Sequence, residues 1–251
     1  MQKARLAVLL VVACALSAAL LEAQRGRFRG GAGAPSSVFQ KEDPTTEFAI
    51  ARWYSPNWTS DGWFHDWPAS EEHILQIMHE VSVIDTNRLS YKVVNISSPE
   101  IFKYPFAYVS HPGEIVPSEE EIANMREYVE RGGFMMLDDF GGQNNDWEMD
   151  GWLELLRRTF PGRQMYRLED DHELLRLHYQ IDNLQMEHPM SQAKSTFYGL
   201  DDSHGRLAMV ICWANDIGDY WEFIDEPHYK LKPSAEALKI GVNIAIYSMT
   251  H

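Results

Sequence analysis

The chain has 251 residues and sets 22 Lys and Arg against 37 Asp and Glu, for a formal charge of −15. Nucleic-acid binding needs a basic face to displace counterions from phosphates, so this balance argues against nucleic acid as a partner. The length suits one domain with elaborations, and the two cysteines, Cys14 and Cys212, leave the fold to stand on its hydrophobic core.

Lys3 and Arg5 precede an apolar run from Leu6 to Leu21, followed by Glu22, Ala23 and Gln24. A basic start, an apolar stretch and a small residue predict a signal peptide over residues 1–23, cut after Ala23, and a periplasmic or secreted product. The run falls short of the about 20 residues a spanning helix needs, so membrane contact is expected only if the leader stays uncleaved. The stretch Val11–Cys14, "VVAC", resembles a lipoprotein cleavage site, but the apolar run continues beyond it. Losing the leader removes a net +1, leaving −16, and removes Cys14, so no internal disulfide can form. Residues 24–45 open with "QRGRFRGGAGAPSS", Gly-rich and aperiodic, and read as a flexible tether. Residues 46–251 read as a single α/β domain.

From there strands and helices alternate. "EFAIARWYS" (47–55) is a first strand, and Ile74, Leu75, Ile77, Met78 and Val81 give the following segment a helical stripe with Ser70 as its cap. "YKVVNIS" and "YPFAYVS" are the second and third strands. Ser118 and Glu121 make a capping box for a helix with Ile122, Met125 and Val129 on its buried face, stopped at Gly132. "FMMLDD" (134–139) is the fourth strand, and a helix over 147–158 ends before Pro161-Gly162. "RQMYRL" and "RLAMVICWA" give a fifth and a sixth strand, and 233–249 a terminal helix. Residues 169–204 carry no clear pattern. This rhythm, with near-continuous apolar strands, predicts a three-layer, doubly wound α/β fold whose mostly parallel sheet is covered on both faces.

In such a sheet ligands bind outside the carboxyl ends of the strands. Arg52 and Tyr54 close the first strand, His111 follows the third, Asp138 and Asp139 close the fourth, and Asn215 and Asp216 close the sixth. These seven residues are the candidate lining of a crevice. Successive strand residues point to opposite faces, so Asp138 and Asp139 cannot share one target unless the strand breaks. One acid is expected in the crevice, and the other on a helix amide or Arg52. The loop "RWYSPNWTSDGWFHDW" has two readings, an aromatic ligand surface or a small satellite core, and packing is favoured because aromatics dominate burial energetics.

Sharper motifs fail. "DFG" at Asp139–Gly141 lacks the other kinase signatures. "DWEMDG" has Glu148 where a calcium loop wants Asp or Asn, and Arg157 where it wants Glu. No nucleophile elbow occurs. His111, His172, His178 and His188 show no compact ligand spacing, so no metal and no cofactor is expected, a metal held by Asp138 or Asp139, Asp216 and one histidine being the less favoured alternative. Cys212 sits in an apolar run and is expected to be packing.

Taken together, "FAIARWYS", "YPFAYVS", "REYVERGGFMMLDDF", "DHELL", "NDIGDYWE" and "GVNIAIYS" resemble the family known as domain of unknown function 4159, over roughly residues 47–250. Such domains are similar to the class I glutamine amidotransferase-like group, which is flavodoxin-like in layout. The resemblance implies that fold and an exported, envelope-associated setting. It implies no reaction, and Cys212 lacks the elbow glycines that glutaminase chemistry would require. Three functions stay open: an envelope module binding a small molecule or carbohydrate, a carboxylate-based hydrolase directed at carbohydrate, and a structural partner of an envelope protein.

Overall fold

The structure, a computed structural model, describes residues 38–39, 41–142 and 147–251. The leader expected over 1–23 and most of the tether expected over 24–45 lie outside the described residues. Seven strands form one sheet: β1 (Ile50–Tyr54), β2 (Tyr91–Asn95), β3 (Phe106–Ser110), β4 (Phe134–Phe140), β5 (Tyr166–Arg167), β6 (Thr196–Asp201) and β7 (Leu207–Trp213), in the order β2-β1-β3-β4-β7-β6-β5. The pairs from β2 to β7 are parallel; β6 and β5 extend the sheet antiparallel. Among the described residues five α-helices accompany them: α1 (Ala69–Val81), α2 (Glu119–Glu130), α3 (Trp147–Thr159), α4 (Ile217–Glu222) and α5 (Leu231–Thr250).

Period-2 side-chain alternation sends each strand's apolar residues to both faces, and each face has its own core. On one face Ile50, Tyr108 and Met136 pack with Ile74, Leu75 and Met78 of α1 and with Ala237, Ile240 and Ile244 of α5. On the other, Ala51, Trp53 and Leu137 pack with Ile122, Met125 and Val129 of α2 and with Trp152, Leu155 and Leu156 of α3. Each fully buried aliphatic side chain contributes about 1.5–3 kcal/mol, so the near-continuous apolar strands are what the two-sided burial requires. The chain is therefore a three-layer α/β fold with a mostly parallel sheet. Among the described residues no helix is long and apolar enough to cross a membrane.

Several elements differ from the sequence expectation. The unassigned 169–204 segment contains β6, whose burial only partly alternates and which Gly199 weakens as a strand signal. The expected fifth strand shrinks to the two exposed residues of β5. Helix α4, absent from the expectation, is held by Asp216, whose carboxylate accepts the Asp219 amide at 2.9 Å. Ser70 does not cap α1, which starts one residue earlier. Its hydroxyl instead accepts a 3.3 Å hydrogen bond from Arg52 and donates to Glu71 at 2.9 Å.

Residue Ser110 of β3 lies level with Asp138 of β4, and Phe140 level with Trp213 of β7. Parallel pairing therefore gathers the carboxyl ends of β1, β3, β4 and β7 on one rim. The β4–β7 pairing breaks register between Leu137 and Phe140, where Asp139 takes φ 55°.

Candidate functional site

That break separates the two aspartates. Asp138 stays in the strand, fully buried, and its Oδ2 accepts hydrogen bonds from the Tyr108 hydroxyl and the Gly218 amide of α4, both at 2.8 Å. One acid thus meets a helix amide. Asp139, in the left-handed region, swings its carboxylate outward: Oδ2 lies 2.9 Å from His111 Nε2, 3.2 Å from His65 Nδ1 and 3.2 Å from Ser110 Oγ. The two imidazole nitrogens are themselves 3.2 Å apart.

His111 follows β3 directly and also has positive φ, 47°. Its other nitrogen, Nδ1, is 2.9 Å from Glu148 Oε1 on the first turn of α3. The second Glu148 oxygen accepts the Gly141 amide, so both oxygens of this buried side chain are engaged. Glycines allow this approach. A Cβ on Gly151 would stand 2.1 Å from the Gly113 carbonyl oxygen, and one on Gly113 would stand 2.2 Å from that of Glu148. Helix α3 therefore rides directly on the turn after His111. His65 comes from the aromatic loop, whose backbone is held by Arg52: the guanidinium donates to the Trp63 and His65 carbonyls at 3.2 Å each while bonded to Glu71 at 2.6 Å.

Burial works against charge on His111, but its hydrogen bonds to Asp139 and Glu148 prevail and raise its pKa to about 10. Burial alone would raise Asp139; the hydrogen bonds from His111 and His65 outweigh it and hold that carboxyl well below the usual range. Asp138 goes the other way, pushed by burial to about 7. Asp66 and Asp216 are raised well above the carboxylate range, first by burial and then by the negative charge of Asp139. Environments that push the Asp139 carboxyl down and those of Asp66 and Asp216 up are a poised arrangement, since acid and base roles follow from pKa values driven apart.

All of these groups but Asp138 line a crevice of about 500 Å³. Its floor holds His65, Asp66, His111, Asp139, Glu148 and Asp216, and its wall holds Phe223, Tyr229, His228 and Met190. Of the seven sequence candidates, His111, Asp139 and Asp216 line it. Arg52, Tyr54, Asp138 and Asn215 are buried and do not. Arg52 faces the loop it supports, and Tyr54 packs edge-on against Trp63 at 4.9 Å between ring centroids. The aromatic loop is accordingly a packed element: Trp53, Trp58 and Trp63 belong to the second core. A larger cavity, about 670 Å³, lies along β5 and β6, but it contains no histidine or cysteine and its charges are of both signs. Nothing there converges on one reacting point.

His65 and Asp219 escape the sequence reading; Asp66 enters it only as an acid within the aromatic loop, His188 only as a surface or core histidine, and neither of these nor Glu148 is a site candidate there. "FHDW" was a usable signal, an imidazole and an acid together after a strand end. Glu148 had only the rejected calcium-loop pattern to mark it. Among the described residues, four groups of side chains offer donor atoms that all lie within 4.8 Å of one another; His65, His111 and Asp139 form one, and Asp66, Asp139 and Asp216 another.

Fold and site together define an α/β domain with an ionisable, histidine-bearing crevice at the carboxyl ends of parallel strands. The chain belongs to the DUF4159 family, a domain of unknown function, whose model matches residues 50–249. No curated protein matches it.

Proposed function

We propose that this is an exported, envelope-associated domain that binds a small hydroxylated ligand, a saccharide or its like, in the strand-end crevice. The observation that carries the reading is the composition of one concave site: buried carboxylates on its floor and the Phe223 and Tyr229 rings on its wall. Carboxylates accept hydrogen bonds from hydroxyls, and aromatic faces cover the apolar side of a sugar ring. Export rests on the leader pattern of residues 1–23 and on the Gly-rich tether. A flavodoxin-like layout, and with it kinship to the glutamine amidotransferase-like group, is supported by the order of the five parallel strands, β2-β1-β3-β4-β7. Any such kinship extends to layout only, because Cys212 of β7 is fully buried and packed into the first core, closed to a substrate.

Calorimetric titration with a panel of mono- and oligosaccharides is the test. Binding that is lost in Asp139→Asn and weakened in Phe223→Ala supports the reading. A panel that binds nowhere, or binds equally to both variants, removes it.

One observation favours hydrolysis as a second reading. Carboxylate oxygens of Asp139 and Asp216 lie within 4.8 Å of each other, with the pKa of the first pushed down by its histidine partners and that of the second pushed up by burial. Retaining glycosidases use such a pair with carboxyl groups about 5–5.5 Å apart. In that case Asp216→Asn keeps saccharide binding while turnover of an aryl glycoside disappears; a wild-type protein without turnover ends the idea.

A further inference from the structure

We propose that His65, His111 and Asp139 bind one divalent transition-metal ion at the floor of the crevice. The inference rests on the crevice being the working surface of the domain, and it adds the cofactor that surface would use.

The geometry is a triangle. Nδ1 of His65, Nε2 of His111 and Oδ2 of Asp139 are separated by 3.2, 3.2 and 2.9 Å. Hydrogen bonds cannot satisfy all three edges. If both imidazoles donate to the carboxylate, two N–H groups confront each other across the third edge. If one imidazole donates to the other, its lone donor is spent and the carboxylate faces a bare edge. A cation accepts a lone pair from each corner at once. Corners of such a triangle lie about 1.8 Å from its centre, so an ion about 2.0–2.1 Å from each donor would sit roughly 1 Å above the plane. The donor spacing already matches that of three ligands on one ion.

The surroundings fit a metal site equally well. His111 uses its second nitrogen on Glu148, and the other Glu148 oxygen is fixed by the Gly141 amide. A carboxylate behind a ligating imidazole sets its tautomer and orientation. Asp139 Oδ2 is further steadied by Ser110 at 3.2 Å. Asp66, next to His65, buries an oxygen, Oδ2, with no hydrogen-bond partner, and one of its carboxylate oxygens lies within 4.8 Å of one from Asp139. Two imidazoles and one carboxylate select a first-row transition ion over magnesium or calcium, which prefer all-oxygen shells. All three residues line the same crevice, so the remaining coordination positions are available to water or to a ligand oxygen.

The test uses the whole mature protein, stripped with a chelator and titrated with Zn²⁺ by calorimetry at neutral and mildly alkaline pH. Co²⁺ is substituted in parallel for its visible spectrum. Expected are one Zn²⁺ per chain, loss of binding in His65→Ala and Asp139→Asn, and Co²⁺ bands that vanish in the same variants. His65 is half exposed, so its removal leaves the fold intact, as circular dichroism will report. Glu148→Gln, a change at a positioning residue, should lower the metal-free melting temperature and, in protein that circular dichroism shows to be folded, weaken Zn²⁺ by roughly 10–100-fold. His204→Ala, a histidine on a remote exposed turn, should bind as wild type does. Wild-type protein that takes up no Zn²⁺ at millimolar concentration, or His65→Ala and Asp139→Asn proteins that bind it undiminished, overturns the proposal. Repeating the saccharide titration in chelator separates the two readings. Saccharide binding without any Zn²⁺ binding ends the metal site alone, whereas Zn²⁺ binding without saccharide ends only the saccharide reading.

Discussion

Arg52→Met offers the sharpest check on how the crevice is held. Arg52 and Glu71 have side chains 0% and 1% exposed and meet at 2.6 Å, while the same guanidinium donates to two loop carbonyls and lies over the Tyr108 ring at 4.2 Å. Removing one partner of a buried ion pair costs about 3–5 kcal/mol, because the other charge is left without compensation. The Trp63 and His65 carbonyls also lose their donor, at about 1–3 kcal/mol for any such group that water fails to reach. We expect a total of about 5 kcal/mol, against the roughly 5–15 kcal/mol that holds a typical domain together. With a urea slope of about 2–3 kcal/mol per molar, the midpoint should fall by about 2 M. Arg52→Met/Glu71→Met removes both charges and should regain at least about 2 kcal/mol of that loss, since apolar replacements of buried pairs are often neutral. A single variant within about 1 kcal/mol of wild type, or a double variant no more stable than the single, would refute the assignment of Arg52 as an electrostatic anchor for the His65 loop.

Three further outcomes are expected. Ser118→Ala removes the hydroxyl that accepts the Glu121 amide at 3.2 Å, costing about 1 kcal/mol and lowering the melting temperature by about 2–4 °C in a calorimetric scan. Burial drives the Cys212 thiol well above its usual pKa, so iodoacetamide should label it only in denaturant, as peptide mass spectrometry will show. Asp138, with a folded pKa of about 7, contributes stability that is fully present below its unfolded value of about 3.9 and is lost as pH rises towards and through 7. Chelator-treated wild type should therefore lose on the order of a few kcal/mol over that interval in urea titrations, and Asp138→Asn should flatten the slope.

Strong local signals made much of this architecture legible. The Ser118–Glu121 box, the apolar stripe after it and the run Phe134–Leu137 each say the same thing at every level, and all appear where expected. The weaker elements depended on tertiary partners. Strand β6 exists because β7 offers it an edge, and α4 is only six residues long. The site was half legible for a related reason. Strand ends mark the rim, so His111, Asp139 and Asp216 could be found by position alone. Which of two adjacent acids turns outward is decided by a backbone break that sequence does not announce. His65 and Glu148 arrive from a loop and a helix, positioned by Arg52 and by the contact of Gly113 with Gly151. Long-range packing of that kind leaves no periodic trace.

The placement of β7 has a consequence for how the polypeptide acquires its shape. Strand β4 is buried along all seven residues, yet Met135 finds its partner Met209 only 74 positions later. Until that late segment is synthesised, the centre of the sheet presents an open, apolar edge. A nascent chain shorter than this cannot close its core, and the high contact order slows the final step. Such an edge is a template for aggregation, so a chaperone or a delay before release would be of most use between the appearance of β4 and the docking of β7.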